Sequence, residues 1–165
     1  MLKFIRLFDH YYLGLSFIGI AAFVIQEIPY MVMPLIKLRS NPIMNMQGGN
    51  RYLETAQGIC GVLSMILLML IVRDDTTVFP ITATKEILFF SLTVLMILIN
   101  FAGWAFYYTG HQYGWLIVLT QFAAVPLYYL FYGLWQRNYL LVASSVPFFI
   151  IHTVNGYINF VAVKK

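Results

Sequence analysis

Glu27, in the run FVIQEIPY, is a carboxylate set within an apolar stretch. At membrane depth such a group costs roughly 2.5 to 3.5 kcal/mol even on a lenient insertion scale. It must face the protein interior, hold a proton or reach the interface, and Gln26 beside it and a bend expected at Pro29 leave that last route open. His152 is the second titratable candidate, as a ligand contact, a proton carrier or a hydrogen-bonded buried histidine. As a pair, Glu27 and His152 have the residue types for general acid and base work on a lipid substrate. Haem ligation by His152 lacks a second axial histidine, because His10 falls at the opposite face and His111 in a loop at another depth.

Other chemistries are excluded by residue type. No lysine lies inside an apolar span, so a retinal Schiff base has no attachment point. There is no GxSxG, HExxH or paired intramembrane Asp, which removes the standard intramembrane proteases and zinc hydrolases. Gly48 and Gly49 are not followed by the lysine and helix start of a phosphate-cradling loop. Cys60 is the only cysteine, so neither an internal disulfide nor a paired-thiol relay exists.

The elements that must position these groups follow from composition. The 165 residues are 61% hydrophobic and 10% charged, with mean hydropathy +0.80, far from a soluble domain with about 25% charge. This is the composition of an integral membrane protein, and the expected fold class is all-α, a polytopic bundle of five transmembrane helices in a single membrane domain. The spans are expected at about 11–36, 54–72, 87–108, 114–135 and 139–161, with a polar loop at 37–53. A basic start, Lys3 and Arg6, leads into the first run without a small-residue cleavage site, so it reads as an uncleaved span. A four-span arrangement with a re-entrant first segment is the alternative. The net charge of +4 sits at segment ends rather than on one stripe, which points to headgroups and topology and away from nucleic acid.

Lys and Arg divide five against five between the two sides: Lys3, Arg6, Arg73, Lys85 and Arg137 on the N-terminal side A, and Lys37, Arg39, Arg51, Lys164 and Lys165 on side B. The positive-inside rule therefore returns a tie, and only the clustering of charge in the long loop and tail tips side B towards the cytoplasm. Depth is more informative. At about 1.5 Å per residue, Glu27 lies roughly 20 Å in from side A. Asn100, His152, Asn155 and Asn159 reach similar levels, while Gln57 and Gln121 sit in the first turns of spans entering from side B.

Helical phase groups the same residues. Asn100, Gly103, Trp104, Tyr107, Tyr108 and His111 share one stripe; Phe148, His152, Asn155, Gly156 and Asn159 a second; Glu54, Gln57, Gly58, Gly61 and Ser64 a third. Either these are packing seams glued by Asn and Gln, or they converge on one polar, aromatic pocket in the side B half. The expected binding set is Glu27, Gln57, Asn100, Trp104, Tyr107, Tyr108, His111, Gln121, His152, Asn155 and Asn159, with no catalytic residue and no metal ligand assigned.

The stretch NFAGWAFYYTGHQYGW, Asn100 to Trp115, resembles the third span and following turn of the TspO/translocator protein family through Asn100, Trp104, Phe106, Tyr107, Gly110, Gln112, Gly114 and Trp115. Pro147, and Ile158, Asn159 and Phe160 beyond it, are similar to that family's proline and late Leu-Asn-Tyr in the fifth span. The resemblance implies a five-helix bundle that binds tetrapyrroles, sterols or similar flat apolar molecules beneath the first loop, with Glu27, Asn100, Trp104, Tyr107 and His152 lining the site. The family is tryptophan-rich, whereas this chain has three tryptophans, Trp104, Trp115 and Trp135.

The reading of the sequence is a receptor, sensor or carrier in the plasma membrane for a hydrophobic small molecule. Expected partners are a lipid or flat apolar molecule, the membrane and, for assembly, a homodimer; the residues dictate no cofactor, and a tetrapyrrole enters only through the resemblance. The alternatives are an isomerase-like membrane enzyme using Glu27 and His152, or a structural or regulatory subunit whose Tyr128, Tyr129, Tyr132 and Trp135 form an interfacial belt facing a partner.

Overall fold

The computed structural model describes residues 1–38, 40–46 and 50–162. Arg39, Lys164 and Lys165, three of the side B charges, and the Gly48-Gly49 pair lie outside the described residues. Five helices are long and apolar enough to cross a membrane, as an integral membrane protein requires: α1 (Phe17–Leu35), α2 (Arg51–Leu70), α3 (Thr84–Tyr108), α4 (Gly114–Trp135) and α5 (Tyr139–Ala162).

The chain is not all-α. Strands β1 (Leu2–Phe8) and β2 (Tyr11–Leu15) form an antiparallel hairpin, and β3 (Ile71–Arg73), which continues directly from α2, pairs antiparallel with β2 through Tyr11↔Arg73, Tyr12↔Val72 and Leu13↔Ile71. The hairpin turns at Asp9-His10 with Asp9 at φ 44°, a left-handed conformation that a short acidic side chain tolerates. The first span therefore begins at Phe17 and not near Tyr11. Ser16 stops the strand and caps the helix, its Oγ accepting from Gly19 N at 3.0 Å. The apolar run from Tyr11 onward hid this boundary, because β2 and α1 are both hydrophobic.

The starting point matters for depth. Glu27 lies ten residues into α1, about 15 Å from the side A end and close to the middle of the helix. α1 retains helix through Pro29 and tightens to a 3₁₀ turn at Met33–Leu35. Its approach to α2 is close: a Cβ on Gly19 would lie 2.1 Å from Leu68 O, so only glycine fits there.

α4 is the central helix, packed between α3 and α5, and its side A half supplies the aromatic core. Tyr128, Tyr129, Tyr132 and Trp135 are all at most 5% exposed, so they cannot form an outward belt. Tyr128 donates to Ala22 O at 2.9 Å, tying α4 to α1. The side B half of α4 widens into a π-helical turn at Val118–Ala123. Such a bulge frees backbone carbonyls, and Asn100 on α3 answers one of them, donating Nδ2 to Thr120 O at 2.8 Å.

Candidate functional site

Four of the five helices line one partly open cavity of about 170 Å³. Three residues of α1 line it: Gln26, Glu27 and, one turn on, Tyr30. α2 adds Gly61 and Met65, α4 adds Val125 and Tyr129, and α5 adds Phe148 and His152. The walls are therefore apolar and aromatic, and the residues that line them include a carboxylate, an amide, two phenols and an imidazole.

Local packing explains why these groups line the cavity. Gln26 is buried and its Oε1 accepts from Tyr129 Oη at 2.9 Å, which fixes the rotation of α1 about its axis. Glu27, the next residue, is half-buried at the cavity edge and forms no ion pair among the described residues. His152 is stacked against two rings, Phe122 at 4.6 Å and Phe148 at 4.9 Å between centroids, and its Nδ1 is buried without a partner. Phe148 in turn meets Tyr129 at 6.2 Å, so Tyr129, Phe148 and His152 make a continuous aromatic wall. Tyr30 is braced from behind by Trp104 in an edge-to-face contact at 4.7 Å.

The other residues expected at a shared pocket lie in separate clusters. Asn100 and Gln121 bond to each other at 3.0 Å between α3 and α4, beside Gly103, where a Cβ would sit 2.0 Å from Thr120 Oγ1. Gln57 and Asn155 join α2 to α5 at 2.7 Å, and Asn159 donates back to Asn155. Tyr107 holds the first loop: its hydroxyl donates to Asn41 Oδ1 at 2.7 Å and accepts from Ile43 N at 3.1 Å. Trp104 is buried beside it with Met33 and Phe122, and Tyr108 donates to Pro29 O. His111 is exposed and bonded to Thr109.

Of the expected residues, Glu27 and His152 line the same cavity; eight of the others pack or bond between helices or against the first loop, and His111 lies exposed in its own turn. The cavity also uses Gln26, Tyr30, Gly61, Met65, Val125, Tyr129 and Phe148, which the sequence reading did not assign to a site. The signal for Tyr30 was present, since it lies three and four residues beyond Glu27 and Gln26 and so shares their face. Tyr129 carried no such signal, because its inward direction depends on the packing of α4 against α1.

A second cleft, of about 290 Å³, opens between α1 and α3 towards side A and is lined by Ile18, Ala22, Phe90, Val94, Tyr132 and Trp135, among others. Thr93 and Tyr128 also border it, but their hydroxyls are committed to Phe89 O and Ala22 O. Without convergent polar groups this cleft offers apolar contact and little to orient a ligand. Compared with protein-family models, curated proteins and solved structures, the chain matches none.

Proposed function

We propose that this protein is a receptor, sensor or carrier in the plasma membrane that binds a hydrophobic small molecule in the cavity between α1, α2, α4 and α5. The observation that supports this reading is that Glu27 and His152, from the first and last helices, line one apolar, aromatic cavity. Few polar groups converging within apolar walls are what a small-molecule site requires. A carboxylate near the middle of α1 with no cationic partner is costly as a packing device, so its placement is better accounted for by a ligand. Kinship with the TspO/translocator family, proposed on the Asn100 to Trp115 and Pro147 to Phe160 patterns, would extend the ligand class to flat molecules such as tetrapyrroles or sterols.

Native mass spectrometry of the protein extracted from its own membrane tests the reading. The wild-type chain is expected to carry a small-molecule adduct that Gly61→Leu lacks. A Cβ at Gly61 meets only Phe148 at ordinary contact distance, so the longer side chain fills the cavity without displacing backbone. An adduct retained in full by that variant would count against this cavity.

The shared position of Glu27 and His152 also favours a second reading, proton transfer within a lipid substrate. On that reading Glu27→Gln and His152→Ala each abolish turnover while the substrate still binds.

A further inference from the structure

We infer that the cavity selects an organic cation, an ammonium borne on an apolar body, over a neutral molecule of the same shape. The inference rests on the binding reading above and narrows its ligand. Among the described residues, Glu27 is the only acidic side chain lining the cavity, and no Lys or Arg lines it. A neutral occupant would leave that carboxylate without a counter-charge. A cation supplies one.

Other residues lining the cavity have the matching chemistry. Tyr129, Phe148 and His152 form a continuous set of rings with centroid separations of 6.2 and 4.9 Å, and Tyr30 stands on the same face of α1 as Glu27. Ring faces carry negative potential and attract ammonium groups, most strongly when water is excluded. A carboxylate and aromatic rings lining one apolar cavity are the groups that hold an ammonium ion. Tyr30 and Tyr129 are held by Trp104 and Gln26 respectively, so these rings are in place before a ligand arrives. The volume of about 170 Å³ suits a quaternary or tertiary ammonium head with a small apolar substituent.

The test uses the full chain in lipid nanodiscs, with radiolabelled benzyltrimethylammonium as probe and neopentylbenzene, its uncharged carbon isostere, as competitor; empty nanodiscs provide the partition background. Wild type is expected to bind the cation, with the isostere competing more weakly by about ten-fold or more. Glu27→Gln is expected to lose the cation by a similar factor, and Glu27→Asp, which keeps the charge, to retain it. Equal competition by the isostere, or retention of the cation by Glu27→Gln, overturns the inference while leaving a binding cavity in place. If neither compound binds wild type and the membrane-extracted protein carries no adduct, the cation inference and the binding reading fall together.

Discussion

Tyr129 on α4 donates its hydroxyl to Gln26 Oε1 on α1 at 2.9 Å, and this buried bond sets the face of α1 that carries Glu27. α1 is otherwise tied to the bundle by Tyr128 to Ala22 O, by Tyr108 to Pro29 O and by its packing on α2. Removing the Tyr129 hydroxyl leaves a buried amide oxygen unsatisfied. Tyr129→Phe is expected to lower stability by about 1 to 3 kcal/mol and to weaken ligand binding more than Tyr128→Phe does. Thermal unfolding in detergent together with ligand titration checks both effects, and equal binding losses in the two variants would contradict the role given to Gln26.

Asn100 separates the packing role from the binding role. It meets the carbonyl freed by the π-helical turn of α4 and bonds to Gln121, away from the cavity. Asn100→Leu is expected to destabilise the bundle by about 1 kcal/mol with ligand affinity unchanged. Gly103→Ala, beside it, is expected to cost about 1 to 3 kcal/mol, because the new Cβ collides with Thr120, whose hydroxyl is committed to Leu116 O. A loss of affinity in Asn100→Leu, measured at a temperature where it remains folded, would return Asn100 to the site.

His111 and His152 should behave differently. His111 is exposed and bonded only within its own turn, whereas His152 is stacked between Phe122 and Phe148 at the cavity. His111→Ala is expected to leave binding and stability within about 0.5 kcal/mol of wild type, as surface substitutions generally do. His152→Ala is expected to reduce affinity and to open space against both rings. A side-by-side titration decides between them.

The sheet gives the protein an acid-sensitive end. Arg73 at the end of β3 is held by Asp75 in two bonds, 2.8 and 2.7 Å, and stacks over Tyr11, while Asp74 bonds to His10 at 2.8 Å. Hydrogen bonds from Arg73 hold the Asp75 carboxyl below its ordinary value, and the hydrogen bond with His10 does the same for Asp74. A depressed carboxyl contributes stability that is fully present above its unfolded value and is lost as pH falls through the folded one. Backbone amides of β2 and β3 are therefore expected to stay protected from pH 7 down to the carboxylate range and to exchange faster below it. Hydrogen exchange across that window checks this, and the Asp75→Asn variant should lose part of the protection already at neutral pH.

Much of this was legible in the chain and some was not. Five spans follow from hydropathy and length, and the expected bounds 54–72, 87–108, 114–135 and 139–161 fall within three residues of the ends of α2 to α5. The hairpin did not, because β2 pairs with β3 across the whole of α1 and α2, and a non-local register leaves no periodic trace in an apolar run. At the site, Glu27 and His152 stood out as titratable groups in hydrocarbon. The remaining polar residues shared a depth but not a direction: Gln57 meets Asn155, Asn100 meets Gln121, and Tyr107 meets Asn41. Depth is read from residue number, whereas direction depends on how each helix is rotated by its neighbours.

The central claim is the location of the bound molecule, and photo-crosslinking reads it directly. An alkyl-diazirine amphiphile irradiated with the protein in its own membrane lipids, followed by peptide mapping, is expected to label Glu27, Tyr30, Tyr129 and His152, with labelling suppressed in Gly61→Leu. Labelling confined to the cleft between α1 and α3, at Ile18, Phe90 and Val94, would contradict it.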